Sequence, residues 1–403
     1  MTSSRTVTKT KVAKSRSKMA KDPMAVTWTE NYSDTIEKYW KRLPKSVANI
    51  IVFLSVFILG ATVRGEWLHI AAHFFRAFFG AGVSSAGTPD APFNSSGPGG
   101  LPLYTNRLQN WPYYFVVSVI VSYTFFFGIG GFLHWYYYVN RRDRAHEWKC
   151  QPDNWLSPEL ERHEILLGSF SLFIGATISS LVSCYVMNGG ETCIYYNIDE
   201  YGWTWYFISW PFTFIWQDYL TYWHHRMYHH PLLYRHFHKL HHKYKQPTAF
   251  SVTAIHPFEF VHMQGVMVSP MFLFPVHWTT FVTLLMYLYY HGIIDHSGIN
   301  FKAYWWQPWQ PDCIFHDNHH QYFHVNFGFN CELWDKIHGT YRQKDKIYNE
   351  EIFFGQGKDI ADCDEAELVV DLAERRSENK LAYRGTVQEE QVQVLAKKLN
   401  KKK

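Results

Sequence analysis

Histidine is the residue type whose placement could do chemistry in this chain. Of 23 histidines, 18 fall between His224 and His338, and most of these sit in tight clusters. The first cluster is His224-His225-Arg226-x-x-His229, preceded by Asp218. The second is His238-x-x-His241-His242 and the third His316-Asp317-x-His319-His320, with a looser pair, His291 and His296-Ser297-Gly298, between them. On a helix, residues three or four apart share a face, so each cluster predicts two or three imidazoles pointing one way.

Three such faces supply eight nitrogens, from His225, His229, His238, His241, His242, His316, His319 and His320. One ion cannot use eight imidazoles. Two can, with four or five each and a position left open for dioxygen or substrate. Imidazole suits iron, zinc and copper alike. A structural zinc site is satisfied by four ligands and usually recruits cysteine, yet none of the six cysteines lies in a cluster and none has a C-x-x-C spacing. A pair of redox-active iron ions is therefore the expected occupant. His291 and His296 are further candidate ligands. Arg226 and Asp317, inside the clusters, are expected to fix ligand orientation by hydrogen bonding. Asp218 has that role or a plain helix-face one. Supporting or packing roles are expected for His224, His230, His236 and His324. Isolated histidines such as His69, His73, His134, His262 and His277 are expected in the core or on the surface.

The elements that carry these clusters look membrane-bound. Mean hydropathy is −0.25, but charge is nearly absent from several stretches and crowded into others. Aromatic residues make up 19% of the chain, with 17 Trp and 27 Tyr, the residues that favour the membrane–water interface. Apolar runs at Val47–Val63, 111–138, 165–187 and 203–216 predict four helical crossings. Lys41, Arg42 and Lys45 before the first and Arg141, Arg142 and Arg144 after the second mark cytosolic flanks, whereas the 188–202 connection carries acids and no Lys or Arg, as a lumenal loop should. Residues 67–83 predict an interfacial helix. The stretch 260–290, interrupted at Pro270 and Pro275, predicts two short crossings or a re-entrant hairpin. The fold class expected is all-α: a multi-pass membrane protein of about four spans plus that hairpin, with a cytosolic histidine-rich di-metal cap and both termini cytosolic. Residues 1–45 form a polar basic tail with no secretory signal, and 46–217 the membrane region, with a Gly/Ser/Pro-rich lumenal loop at 84–110 carrying the sequon at Asn94. Residues 218–347 form the catalytic region and 348–403 a charged tail with an amphipathic helix over 364–376. A net charge of +4, its basic residues gathered at the chain ends, excludes a nucleic-acid face.

The clusters and their flanks resemble the fatty acid hydroxylase and sterol desaturase superfamily of membrane di-iron proteins. The resemblance covers about 160–345 and rests on Tyr222-Trp223-x-His225-Arg226-x-x-His229, on Leu233-Tyr234-x-x-x-His238-x-x-His241-His242, on Ala254-Ile255-His256-Pro257-Phe258-Glu259, on His296-Ser297-Gly298, on His316-Asp317-x-His319-His320 and on Asn326-Phe327-Gly328. It implies an endoplasmic-reticulum enzyme that uses two iron ions, dioxygen and NAD(P)H-derived electrons. Those electrons usually arrive through cytochrome b5 and its reductase. The His-Pro-x-Glu and His-Ser-Gly elements look most like the 4-methyl sterol oxidase branch, implying a sterol substrate. Fatty acyl or sphingolipid hydroxylation and sterol desaturation are the alternatives within the superfamily. A non-catalytic sterol- or zinc-binding membrane protein is the alternative outside it. All-histidine ligation implies that activity falls well below pH about 6.5, where protonated imidazole cannot coordinate.

Overall fold

A computed structural model describes residues 35–62, 64–79, 107–303, 305, 307–379 and 397–398. The expected Asn94 sequon and most of the loop around it, much of the N-terminal tail and the terminal lysines lie outside the described residues. The apolar runs become long helices. The first is α1 (Lys45–Thr62), followed by α2 (Trp67–Phe79), α3 (Trp111–Leu133), α4 (Pro158–Met187) and α5 (Gly202–Tyr228). Ser157 starts α4 by accepting the Leu160 N–H, with Pro158 at the first helical position and Glu159 and Glu161 in the first turn.

By length and composition, Trp111–Val139 and Pro158–Met187 could each cross a membrane, and Lys45–Gly60 is a shorter apolar helix. The run at 203–216 becomes the first half of α5, whose outward side carries exposed Trp203, Phe207, Phe212 and Ile215. Ile50, Phe53, Val116, Ile120, Leu166 and Phe170 are exposed on α1, α3 and α4 as well. A soluble monomer rarely leaves so much contiguous apolar surface open.

The stretch 260–290 is broken where its prolines stand. Helix α6 (Pro257–Val268) stops before Pro270, and α7 (Trp278–His296) begins after Pro275. Between them, strand β2 (Val276–His277) pairs in parallel with β1 (Ile194–Tyr195). The two arms of the hairpin thus reach the end of the molecule where α4 finishes and α5 begins. A second two-stranded pair, β3 (Lys346–Ile347) with β4 (Lys358–Asp359), is antiparallel. The third histidine cluster forms α8 (Ile314–Tyr322), and α9 (Glu365–Ser377) opens with a capping box between Asp364 and Glu367.

The charged C-terminal segment is not a loose tail as far as residue 379. Gln321 donates to the Glu374 carbonyl at 3.0 Å, Tyr322 Oη to Glu378 at 2.7 Å, and the Asn379 side chain to the Lys149 carbonyl at 2.8 Å. These contacts clamp the back of α8.

Candidate metal centre

The last turn of α5 delivers His225 and His229, four residues apart on one face. His230 then caps a six-residue helix, Pro231–His236, after which the second cluster forms a 3-10 helix, His238–Lys243, rather than the α-helix expected. Helix α8 carries the third cluster and the C-terminus of α7 carries His296.

These elements converge. The imidazoles of His225, His229, His238, His242 and His319 each offer a nitrogen within 4.8 Å of the others, and His241, His296 and His320 form a second such group. The groups adjoin, with ring centroids 5.3 Å apart for His242 and His320 and 5.7 Å for His319 and His320. His316 belongs to neither set, but its Nε2 lies 2.9 Å from Nε2 of His296, so it borders the second. None of these nine histidines is more than 5% exposed. The expectation that each cluster keeps to one face is corrected here: the second and third clusters split, sending His241 and His320 to one group and His242 and His319 to the other.

His291 is not brought to either group. Its ring packs on Tyr287 at 4.5 Å and Tyr290 at 5.2 Å, one helical turn or more before His296. Arg226 and Asp317 do not hold the histidines as expected either. Arg226 donates to the Tyr222 hydroxyl and lies over Trp223 and Phe354, while Asp317 accepts from Gln151 at 2.9 Å beside the buried Lys149. Asp218 accepts from Asn330 and Trp334, tying α5 to the loop after α8.

Backbone carbonyls and one carboxylate hold the rings instead. Nδ1 of His225 meets the Phe327 carbonyl at 2.8 Å, Nδ1 of His319 that of Val325 at 2.6 Å, Nδ1 of His241 that of Ala254 at 3.2 Å and Nδ1 of His296 that of Gly292 at 2.7 Å. Nδ1 of His238 meets Glu259 Oε1 at 2.6 Å. Nδ1 of His229 faces Nδ1 of His324, whose other nitrogen meets the Glu350 carbonyl. A carbonyl can only accept, so each ring it touches carries its proton on Nδ1 and presents a bare Nε2 lone pair inward. That is the tautomer a metal ligand needs.

The chemistry of the donor set fits a pair of metal ions. Nε2 of His238 and His319, Nδ1 of His242 and His316, and both nitrogens of His320 are buried with no hydrogen-bond partner. Each such orphan costs about 1–3 kcal/mol unless something binds it. Burial holds His225, His229, His242, His296, His316, His319 and His320 well below the ordinary imidazole value, His238 at about 3 and His241 at about 4. Neutral imidazoles are the coordinating form.

The loop after α8 exists to present carbonyls. Asp335 accepts the backbone N–H groups of Phe327 at 2.8 Å and Gly328 at 2.7 Å, which fixes the peptide that anchors His225. Asn326, in the left-handed region at φ 54°, donates to the Phe315 carbonyl and accepts from the Arg342 N–H. The signals for these supports were the Asn-Phe-Gly and His-Pro-x-Glu elements, but nothing in the sequence assigned them a role at the histidines.

A cavity of about 70 Å³ meets the histidines between α5, α6 and α7. Thr221, Val252, Ile255, Met263, Met267 and Leu288 line it, with His225, His238, His241 and His296 among its walls.

A buried double group of histidines in a helical, apolar-faced fold defines the class: a membrane-type protein with a polyhistidine site able to hold metal. Residues 210–340 match the family model described as fatty acid hydroxylase. It is similar to the Delta(7)-sterol 5(6)-desaturase ERG3B of Gibberella zeae, 29% identical over 60% of this chain and 73% of that one. A Delta(7)-sterol 5(6)-desaturase of Leptosphaeria maculans is 31% identical over 47% of this chain and 52% of its own length, and the lathosterol oxidase of Rattus norvegicus 33% identical over 38% and 52%. The chain thus spans about half the length of the latter two. No solved structure matches it.

Proposed function

We propose that this chain is a membrane-bound di-iron oxidoreductase that oxidises a sterol, in the endoplasmic reticulum, with electrons from NAD(P)H passed on by cytochrome b5 and its reductase. The observation that carries the reading is the set of buried imidazoles whose far nitrogens are tied to carbonyls and whose near nitrogens converge without partners. His225, His229, His238, His242 and His319 would hold one ion, and His241, His296 and His320, with His316 adjoining, the other. When bound, a pair of iron ions supplies the one-electron chemistry and dioxygen activation that imidazoles alone cannot. The rest falls to this chain. Carbonyl anchors keep the ligands from reorienting, the buried walls exclude water, and the cavity brings one part of a lipid against the histidines. At about 70 Å³ it takes the reacting end of a lipid rather than a whole ring system, so the remainder lies along the apolar helices in the bilayer.

The names of the similar proteins favour ring desaturation. Oxidation of a 4-methyl group, expected from the His-Pro-x-Glu and His-Ser-Gly elements, is the second outcome available to the same centre. We place the histidines on the cytosolic side, with α3, α4 and α5 crossing, α1 and α2 together making a fourth crossing broken at Arg64, whose neighbour Gly65 packs on Ala176 midway along α4, and the α6–α7 hairpin reaching to the lumenal end beside β1. The test is full-length protein in lipid nanodiscs with iron, NADH, cytochrome b5 and its reductase. Each candidate lipid (a Δ7-sterol, a 4-methyl sterol, a ceramide) is supplied in turn and the products read by mass spectrometry. A sterol that loses two hydrogens or gains one oxygen supports the proposal. Turnover of the ceramide alone, or of nothing with both ions bound, overturns it.

A further inference from the structure

Besides the histidines, the cavity is lined by three side chains that each keep a buried polar atom without a partner: Arg64, Glu259 and Asn330. Arg64 lies in the turn between α1 and α2, its guanidinium 4.7 Å from the Phe260 ring and 6.0 Å from that of Tyr289. Its Nη1 is buried without a partner. The adjacent carboxylate does not satisfy it, because Glu66 is engaged by Gln264, the Tyr289 hydroxyl and Ser179. The turn has little room to shift. Gly65 is left-handed at φ 72°, where a Cβ would stand 2.6 Å from the Cα of Ala176, and the Arg64 carbonyl packs on Gly175 and accepts from Gln264. Opposite, Glu259 gives Oε1 to His238 while its Oε2 is buried without a partner. Arg64 and Glu259 both line the cavity that His225, His238, His241 and His296 also line, and no ion pair joins the two among the described residues.

An unpaired donor, Arg64 Nη1, and unpaired acceptors, Glu259 Oε2 and Asn330 Oδ1, in one cavity ask for a ligand group that accepts and donates at once. A hydroxyl does both. A carboxylate or phosphate would answer Arg64 but meet Glu259 acceptor to acceptor. A ketone, an ether or bare hydrocarbon would leave one or both groups unpaired, the situation in which a polar site rejects an analogue most strongly. Taking the site to be the lipid-oxidising one proposed above, we infer that Arg64 Nη1 and Glu259 Oε2 bind the hydroxyl of an alcohol lipid, which fixes the carbon to be oxidised within a few bonds of that hydroxyl. The proximity follows from the lining: Arg64 and Glu259 share one small cavity with His225, His238, His241 and His296, so a hydroxyl bound there lies beside the histidines. Arg64 is then a positioning and specificity residue, and the molecule enters hydroxyl end first with its hydrocarbon trailing into the bilayer.

Binding tests this without turnover. Full-length, iron-loaded protein in nanodiscs is titrated with a tritiated 3-hydroxysterol, and the same sterol as its 3-O-methyl ether and its 3-deoxy analogue compete against it. The expected result is a preference of about ten-fold or more for the alcohol over both analogues. Arg64→Met, similar in length but without donors, reduces that preference to below about three-fold at unchanged iron content, and Arg64→Lys restores part of it. A wild-type protein that binds all three ligands alike, or a folded, iron-replete Arg64→Met that keeps the ten-fold preference, overturns the inference. The wild-type analogue series stands even if the variant fails to fold. An intact alcohol preference with no oxidised product from any lipid would sustain the anchor while sinking the oxidoreductase reading.

Discussion

At the scale of the residue, the His-His pairs decide the architecture of the centre. Adjacent side chains diverge by about 100° on an α-helix and about 120° on a 3-10 helix, so His241 cannot join His242, nor His319 join His320, on one ion. Each pair straddles two groups, and the two groups follow. That much was latent in the spacing. The rejection of His291 was not, because a histidine among tyrosines on an apolar helix looks the same from sequence whether it ligates or packs. Two consequences can be measured. His291→Gln should keep the full metal content, whereas Glu259→Gln, which loses the charge that orients His238, should weaken metal binding or turnover about 10- to 100-fold; metal titration of the purified variants checks both. The pH dependence follows from the depressed imidazoles. These groups are neutral when folded and take up protons when unfolded, so the stability they contribute is fully present above the unfolded value of about 6.5 and is lost as pH falls below it. Each adds a slope of about 1.4 kcal/mol per pH unit. Denaturant midpoints of the metal-free protein should drop steeply between about pH 6.5 and 5, and a flat profile there would contradict buried neutral histidines.

At the scale of the element, helices were legible and the loops that serve them were not. Hydropathy located the apolar runs of α1, α3, α4 and α5, and the prolines located the break between α6 and α7. Arg226 and Asp317 drew attention as orienting groups because charged side chains are visible in a sequence. The carbonyls of Phe327, Val325, Ala254 and Gly292 carry no letter of their own, so the anchors that matter could be found only from coordinates. Their supports are testable. Asp335 holds two backbone N–H groups and the Thr340 hydroxyl. Asp335→Ala should therefore cost about 1–3 kcal/mol for each donor left buried and unpaired and should release the peptide behind His225. Chemical denaturation together with iron content reads both effects; loss of neither would show that the loop holds itself.

At the scale of the whole molecule, the site lies where a bundle of apolar helices ends and a polar cap begins. The hydrophobic exteriors of α1, α3, α4 and α5 face outward, and the cavity at the histidines is lined by apolar side chains of α6 and α7, among them Met263, Met267 and Leu288. The segment beyond residue 347 closes the far side. Its sequence showed charge and one amphipathic helix, but not that Glu374, Glu378 and Asn379 grip α8 and the 149–150 region. Chain ending at residue 347 should therefore retain its membrane helices yet lose metal. Circular dichroism with little change in helix content beside a sharply reduced iron content would bear this out, and full iron retention would contradict it.

The most direct measurement is a count of metal per chain. Full-length protein purified in detergent after iron supplementation should carry close to two irons by elemental analysis, with X-ray absorption showing a nitrogen-dominated shell. A combined His241→Ala and His296→Ala change should bring the count to about one. A wild-type value well below one, or a single tightly held zinc, would contradict the account.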